Sequence, residues 1–301
     1  MIRRPPRSTQ SRSSAASDVY KRQDDYLFLR AKRWDLGNIP NWRAMSNNTI
    51  YADSYDHISD AVWKTYDGSG EPYGFFNLPL AQKFGRLQDR SKDKCEIINP
   101  CAEILLESHE CCNLSEIYLN NVETRAELKK CAKLLYKTQK AICALPFIHK
   151  ETEEVVHRNM RIGVGITGIC QSLNKVDWLE DCYNDLKQYD KEWSKKKGYP
   201  TSIRLTTVKP SGTLSLLSGS TPGVHPAYAN HFIRRVRMSS SDALVDICRE
   251  ANYPTEYARR FDGTEDHSTV VVEFPCHING KTILAEDMTC LLYTSPSPRD
   301  S

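Results

Sequence analysis

The sequence lacks several features that would assign it to common classes of protein. No stretch of 18 apolar residues is present, so the chain holds no candidate transmembrane helix. The N-terminus lacks the apolar run of a secretory signal peptide. The glycine-rich stretch 68–77 matches neither the Gly-x-Gly-x-x-Gly nor the Walker phosphate fingerprint. These absences predict a cytoplasmic protein that does not bind membranes.

Metal and disulfide patterns are also missing, although the chain holds 11 cysteines. A zinc site normally uses two short Cys or His pairs, and no Cys-x(2–4)-Cys pair occurs. The irregular spacing does not indicate a disulfide scaffold. In a reducing cytosol, such thiols are catalytic, metal-bound or simply buried.

The two ends of the chain differ from the rest in composition. Residues 1–23 are polar and rich in Arg and Ser, and residues 290–301 show no pattern. We expect both to be non-native, adapter-like sequence around a domain at 24–289; a disordered tail is the alternative. The head carries a net charge of +5, so the formal +3 of the whole chain leaves about −2 for the remainder. Charge therefore predicts no binding to nucleic acid.

The most informative stretch is Asn99-Pro100-Cys101-Ala102-Glu103. In an extended segment, alternate side chains point to one face, which would set an amide, a thiol and a carboxyl side by side. Pro100 suits a rigid loop tip. Cys112 follows eleven residues after Cys101, far enough for the chain to turn back. An ordinary turn with inert cysteines is the alternative, but a buried carboxylate without a partner is costly.

The remaining pattern alternates between strands and helices. A capping box at Thr124 and Glu127 begins a helix that Pro146 ends, and a charged helix covers 177–197 and stops at Gly198. Strands are expected at 161–168, 203–208, 232–238 and 269–275, and a helix at 242–251. Alternation of this kind indicates parallel β-α units, hence an α/β layer or barrel.

A second candidate site lies at Lys209-Pro-Ser-Gly-Thr-Leu-Ser215. A strand, a turn of small residues and a helix start together favour an anion, because free N–H groups and the helix dipole point at it. The hydroxyls of Ser211 and Thr213 would add donors around Gly212. An ordinary helix N-cap is an equally good interpretation. His225 is interpreted as a loop histidine.

These motifs together resemble ribonucleotide reductases. The resemblance rests on Asn-x-Cys-x-Glu at 99–103, on Cys-x-Leu-Ser from Cys112, and on the segment 209–226 with Phe-Ile-Arg-Arg-Val at 232–236 behind it. The segment 209–226 is most similar to the adenosylcobalamin-dependent, often monomeric, triphosphate reductases. The resemblance covers nearly all of 24–289. It implies part of a ten-stranded α/β barrel, with the reactive cysteine on an internal finger loop.

The resemblance also implies a radical mechanism for making deoxyribonucleotides for DNA synthesis. Cys101, oxidised to a thiyl radical through the 5′-deoxyadenosyl group of adenosylcobalamin, would abstract the ribose 3′ hydrogen. Glu103 would act as general base on the 3′-OH, and Asn99 would hold that hydroxyl. Cys112 would be one member of the reducing dithiol. Ser211, Gly212 and Thr213 would bind the phosphates of a ribonucleoside triphosphate.

Further partners follow from the same resemblance. Thioredoxin or a similar dithiol would supply electrons, and an allosteric deoxynucleotide would bind at a site mostly missing from this chain. The second cysteine of the dithiol would also lie outside it, so we expect the 301-residue polypeptide itself to be inactive. An iron-dependent or glycyl-radical reductase and a non-catalytic nucleotide-binding module are the alternatives.

Overall fold

The computed structural model describes residues 16–20, 46–63, 74–85, 92–212, 214–259, 263–278 and 282–287. The chain divides into two compact units. The first unit comprises Met1–Ser115, Lys133–Val164 and Leu186–Thr207, and the second comprises Glu116–Ala132, Gly165–Asp185 and Val208–Ser301. No helix among the described residues is both long and apolar enough to cross a bilayer.

Six α-helices and ten strands are found among the described residues. The helices are α1 Asp60–Trp63, α2 Leu78–Phe84, α3 Arg125–Cys143, α4 Lys150–Asn159, α5 Asp177–Lys197 and α6 Ala243–Glu250. The strands are β1 Ala16–Tyr20, β2 Ser46–Tyr51, β3 Gly74–Phe76, β4 Ile97–Ile98, β5 Leu105–Leu106, β6 Leu114–Tyr118, β7 Gly163–Thr167, β8 His231–Ser239, β9 Thr255–Arg259 and β10 Glu265–His277.

The strands form four small sheets. Strands β1, β2 and β3 pair in parallel in that order, and β4 pairs with β5 in an antiparallel hairpin. Strands β6 and β7 form a third sheet. The fourth has the order β8-β10-β9, and both of its pairings are antiparallel. The structure is therefore mixed α/β, and the described residues do not close a barrel.

Within the first unit, a buried polar cluster joins α3 to α5. The Tyr136 hydroxyl donates to Asp190 at 2.7 Å, and Lys140 lies 3.2 Å from the same carboxylate. Lys140 also donates to the Pro200 carbonyl at 2.8 Å and to the Ser202 hydroxyl at 3.1 Å. A fully buried ammonium is tolerated because each of these oxygens replaces water.

Within the second unit, the first half of α3 is anchored at its cap and on its surface. The Glu127 N–H donates to the Thr124 hydroxyl at 3.2 Å, which confirms the predicted capping interaction. Arg125 pairs with Asp177 at 2.6 Å, and Lys129 pairs with Asp181 at 2.8 Å. The apolar core between α6 and β10 is made by Val245, Val270 and Val272.

Several sequence-based predictions of elements are confirmed. Helix α5 covers the predicted residues, and Gly198 follows it with φ +71°, the left-handed conformation of a helix C-cap. Helix α6 begins after Asp242, whose side chain accepts from the Leu244 N–H. Strands β7, β8 and β10 lie where they were expected.

Other predictions are corrected by the structure. The expected strand at 203–208 is only an isolated parallel bridge between Thr206 and Val164. The expected parallel units give way to an antiparallel sheet at β8-β10-β9. The head segment contributes β1, which was not predicted. Residues 24–32, whose pattern is typical of the end of an amphipathic helix, and most of the 68–77 loop lie outside the described residues.

Candidate active site

The central motif forms the turn of the β4–β5 hairpin. Pro100 and Cys101 lie in the turn, and the Ala102 N–H donates to the Asn99 carbonyl at 2.9 Å. Ala102 has φ +60°, a left-handed conformation that an extended segment excludes. The expectation of an extended segment with alternating side chains is therefore wrong. Pro100 lies in a turn, as expected of a loop tip.

Asn99 stabilises this turn through hydrogen bonds to Ile104 across the hairpin. Its side-chain oxygen accepts from the Ile104 N–H at 3.0 Å, and its backbone N–H donates to the Ile104 carbonyl at 3.2 Å. The amide nitrogen lies 3.8 Å from the Cys112 sulfur, which is within hydrogen-bonding range for sulfur. Asn99 thus brings the Cys112 sulfur to the turn that carries Cys101.

The thiol and the carboxyl of the turn have different surroundings. Cys101 is exposed and forms no disulfide. Glu103 is half-buried, and its Oε2 is a buried acceptor without a hydrogen-bond partner among the described residues. The Glu103 carbonyl accepts from the hydroxyl of Thr207, a residue that the sequence did not single out. The turn is thus fixed at its backbone while one carboxylate oxygen remains unsatisfied.

Cys112 lies at the edge of a small cleft of about 100 Å³. Cys111 and Cys143 line the same cleft, with Phe147 and Val156 among its apolar neighbours. Burial and the Glu110 carboxylate raise the pKa of the Cys111 thiol, and burial raises that of Cys143. Both thiols therefore favour the protonated, unreactive form. Cys143 packs in the core.

A buried ion network supports the turn at 107–110 that precedes Cys112. Arg161 binds Asp93 through two hydrogen bonds of 2.9 and 2.8 Å, and Glu110 through one of 3.1 Å. The amide of Asn159 donates to both Glu107 and Glu110, at 2.9 and 3.0 Å. The bidentate pairing fixes the Arg161 guanidinium against Asp93, and Arg161 and Asn159 together hold the carboxylates of Glu107 and Glu110.

The predicted phosphate segment belongs to the second unit. Ser211 is buried with φ +54°, and its hydroxyl donates to Glu116. Lys209 pairs with the same carboxylate. A Cβ added at Gly212 would meet nothing within 4 Å, so there is open space beside it. Thr213 lies outside the described residues.

The prediction of an α-helix after this segment is wrong. Residues Leu214–Ser218 form a 3₁₀-helix of five residues instead of an α-helix. So short a helix has little dipole to offer an anion. Any binding of phosphate here has to rely on side chains and local backbone groups.

Comparison with known proteins identifies the family of the chain. Residues 43–189, which include the Asn99–Glu103 turn and Cys112, match the family model for the ribonucleotide reductase barrel domain. The chain belongs to the ribonucleotide reductase family.

Individual reductases extend the similarity over most of the chain. The adenosylcobalamin-dependent ribonucleoside-triphosphate reductase of Euglena gracilis is 35% identical over 255 residues, which covers 81% of this chain and 34% of the relative. The enzyme of the same name from Lactobacillus acidophilus is 30% identical, covering 84% of this chain and 38% of the relative. The chain thus spans about a third of the length of the curated relatives it matches.

A solved structure agrees with these relatives. The crystal structure of a B12-dependent, class II ribonucleotide reductase superposes with a TM-score of 0.68 at 25% identity. The match covers 87% of this chain and 40% of that reductase. The α/β character predicted from the sequence is therefore that of the ribonucleotide reductase fold.

Sequence reasoning missed the supports of both predicted sites. Glu116 lies 93 and 95 residues from Lys209 and Ser211, and Thr207 lies 104 residues from Glu103. The one available signal was Glu116 itself, a carboxylate in the middle of a short, largely apolar strand. A carboxylate in that position needs a partner from elsewhere in the fold.

Proposed function

We propose that this chain carries the catalytic centre of an adenosylcobalamin-dependent ribonucleoside-triphosphate reductase, which converts ribonucleotides to 2′-deoxyribonucleotides. The reductases of Euglena gracilis and Lactobacillus acidophilus carry this name. Because the chain spans about a third of their length, we further propose that residues 24–289 work as a segment of a longer reductase.

The observation that carries the proposal is the unsatisfied Oε2 of Glu103. A buried carboxylate oxygen without a partner costs free energy, which a substrate hydroxyl would recover by donating to it. This oxygen belongs to the same five-residue turn as the exposed Cys101 thiol. One tight turn thus carries a general base and a sulfur that can take and return a hydrogen atom. This pair suits a reaction at a carbon that loses a hydrogen while its hydroxyl group loses a proton.

Each residue has a separate role in this mechanism. Cys101, after losing its S–H hydrogen, would take the 3′ hydrogen of the ribose and return it at the end. Glu103 would take the proton of the 3′-OH while the 2′-OH leaves as water. Asn99, held by Ile104, would orient the substrate hydroxyl, since positioning lowers the barrier without chemistry of its own.

Cys112 would be one of the two thiols that together supply the two electrons and two protons consumed when the 2′-OH leaves as water and a hydrogen takes its place. Its sulfur contacts the Asn99 amide at 3.8 Å, so it lies beside the turn. The raised pKa of Cys111 disfavours that neighbour as the reductant. A second thiol from outside the described residues would complete the disulfide, and thioredoxin or a similar dithiol would reduce it again.

The exposure of Cys101 fits a cofactor that approaches the sulfur from outside the turn. Adenosylcobalamin supplies, when bound, the organic radical that removes the thiol hydrogen. Cys101 would be the residue of this chain that faces it. Ser211, Gly212 and Thr213 would lie at the substrate phosphates, and an allosteric deoxynucleotide would bind elsewhere in the longer reductase.

The test is deoxynucleotide formation by the longer reductase that contains this segment. With adenosylcobalamin and a dithiol, we expect turnover of ribonucleoside triphosphates, and we expect Glu103→Gln to lower it by a factor on the order of 10² or more while substrate still binds. Glu96→Gln, an exposed glutamate before the same hairpin, is the matched control and should retain activity. Full activity of Glu103→Gln would refute the assignment.

The 301-residue chain should produce no deoxynucleotide under the same conditions. It covers only about a third of its relatives, and the proposed second thiol of the reducing pair belongs to the longer reductase. Turnover by this chain alone would contradict the proposal that a longer reductase is required.

A further inference from the structure

Glu116 is a buried carboxylate whose side-chain hydrogen bonds, among the described residues, lie within the second unit. It occupies β6, and its side chain is only 4% exposed. One carboxylate oxygen accepts from the Lys209 ammonium. The other accepts from the hydroxyls of Ser211 and Thr167, the latter at 3.2 Å. No step of the proposed reduction uses this residue.

The contacts of Glu116 fix the shape of the segment 209–212. Ser211 has φ +54°, which costs free energy for a residue other than glycine and persists only where the surroundings impose it. The Glu116 carboxylate binds the side chains of both Ser211 and Lys209, which lie two residues apart in this segment. Behind this segment, Gly223 approaches so closely that an added Cβ would lie 2.7 Å from the Lys209 carbonyl oxygen.

The chain after Glu116 supports the same loop farther along. The Tyr118 hydroxyl donates to the Leu214 carbonyl, and the Asn121 amide donates to the Ser218 carbonyl, both at 3.3 Å. Ser220 donates to Asn120 at 2.6 Å. Glu116 is therefore the first of several residues of this stretch that support the loop, and among Glu116, Tyr118, Asn120 and Asn121 it is the charged one.

Two roles for that charge make opposite predictions for an anionic ligand. As an opposing charge, the carboxylate would weaken phosphate binding by neutralising Lys209. As a positioning group, it would strengthen binding by aiming Lys209 and the backbone at Gly212 in one direction. An ammonium has three N–H donors, and Glu116 takes one of them. Arg234 adds a second cation, 3.5 Å from the Gly212 carbonyl.

We propose that Glu116 is a positioning residue for phosphate recognition, which holds Lys209 and Ser211 so that Lys209 and the open space beside Gly212 accept the triphosphate group of the substrate. The inference rests on the proposed function for its ligand class. The strained backbone of Ser211 favours positioning over an opposing charge, because a carboxylate that served only to weaken anion binding would not need to bind the Ser211 hydroxyl.

The experiment measures binding of inorganic tripolyphosphate to the 301-residue chain by calorimetry at fixed, low salt. We expect Glu116→Gln to weaken binding about tenfold, because an amide cannot accept from both Lys209 and Ser211. Lys209→Gln should weaken it at least as much. Glu180→Gln, an exposed glutamate of the same unit on α5, is the matched control and should change nothing.

A double-variant comparison separates positioning from general loss of structure. If Glu116 acts through Ser211, Glu116→Gln with Ser211→Ala should bind no more weakly than Glu116→Gln alone. Should Glu116→Gln fail to fold, Thr167→Val removes one donor to the same oxygen and should weaken binding about threefold, within the range of a single lost hydrogen bond.

Three results would overturn the inference: no binding of tripolyphosphate by the parent chain, unchanged or tighter binding by Glu116→Gln, and fully additive effects in the double variant. Failure of the proposed function is distinguishable. Cys101→Ser should abolish deoxynucleotide formation in the longer reductase yet leave tripolyphosphate binding at the parent value. Tripolyphosphate binding therefore tests Glu116 whether or not reduction takes place.

Discussion

At the scale of single residues, the cysteines differ by what surrounds each sulfur. Cys101 and Cys112 are exposed, whereas Cys95 is fully buried. Burial, and then the nearby Asp93 carboxylate, raise the pKa of Cys95 to about 11 from an ordinary value of 9.0. Because the thiolate is the reactive form, Cys95 serves packing, and the chemistry is left to the exposed sulfurs.

The raised pKa of Cys95 predicts a loss of stability in alkali. Between pH 9.0 and about 11 the unfolded chain releases the Cys95 proton while the folded chain retains it. The free energy of unfolding should therefore fall as pH rises through this window, by at most about 1.4 kcal/mol per pH unit from this group. Replacing Cys95 with a residue that cannot ionise should remove this contribution to the pH dependence of the free energy of unfolding.

Urea unfolding of the parent, Cys95→Ala and Cys95→Val from pH 8 to 11 measures this effect. The two variants differ in side-chain volume and so in stability at pH 8, but both should show the same shallower decline. An identical decline in the parent and both variants would show that Cys95 ionises equally in the folded and unfolded states.

The residues of the turn could be identified from the sequence, whereas their supports could not. Asn99, Cys101 and Glu103 stand out because an amide, a thiol and a carboxyl within five residues have no packing reason. Glu116 and Thr207 act through partners about a hundred residues away. Local patterns carry no information on contacts at that separation, so only the fold reveals them.

At the scale of elements, the β4–β5 hairpin is the structure on which the candidate active site depends. Asn99 makes a backbone bond across it and a side-chain bond to Ile104, and its amide reaches Cys112. Those two side-chain contacts use opposite ends of one amide, so they can be removed separately.

Asn99→Asp should keep the bond from the Ile104 N–H and lose the donor to Cys112; the retained bond, now to a charged acceptor, offsets part of the cost of burying a carboxylate, so this variant should lose less stability than Asn99→Ala. Asn99→Ala loses both and leaves a buried N–H unsatisfied, which should cost about 1–3 kcal/mol of unfolding free energy. Both variants should lower turnover in the longer reductase, because both lose the amide donor. Equal stabilities of the two variants would contradict the role given to the Ile104 contact.

Two glycines with positive φ provide a matched pair on the loops. Gly198 has φ +71° with nothing within 4 Å of an added Cβ, whereas Gly223 has φ +49° and an added Cβ would lie 2.7 Å from Lys209 O. Gly198→Ala should cost only the left-handed strain, about 1–2 kcal/mol. Gly223→Ala should cost more and also weaken tripolyphosphate binding, because the Lys209 backbone must move.

Unfolding and calorimetry on the two alanine variants check this expectation. Tripolyphosphate should bind Gly198→Ala as it binds the parent. Normal binding by Gly223→Ala would show that the loop 219–226 does not determine the shape of the phosphate segment.

Element prediction succeeded where the signal was local. Each helix boundary that was predicted depends on residues only a few positions apart, as at Thr124, Gly198 and Asp242. The helices that begin or end there lie where they were predicted. The expected strand at 203–208 reduced to one bridge, and the turn at 209–215 led into a 3₁₀-helix. Both depend on how distant segments pack, which periodicity does not report.

At the scale of the whole molecule, the chain consists of two compact units, each with its own part of the proposed chemistry. The first unit holds the turn with Cys101 and Glu103, and the second holds Glu116 and the predicted phosphate segment. The mixed α/β fold and the family could be predicted from the sequence because several separate motifs agreed. The strand pairing could not, since alternation alone does not distinguish parallel from antiparallel neighbours.

The length of the chain relative to its family bears on activity. The chain spans only about a third of the length of its relatives, so the thiol partner of Cys112 and the effector site are proposed to belong to the longer reductase. Activity is therefore best measured on that longer protein, whereas folding and anion binding are measured on this chain.

The central claim is that the sulfur of Cys101 carries the radical that starts the reduction. Electron paramagnetic resonance of the longer reductase, frozen after mixing with adenosylcobalamin and a ribonucleoside triphosphate, tests it most directly. A sulfur-centred signal should form, should sharpen when cysteine is deuterated at its β-carbon, and should be absent in Cys101→Ser but present in the Cys95→Ala control. A signal that persists in Cys101→Ser, or that ignores the deuterium, would contradict the account.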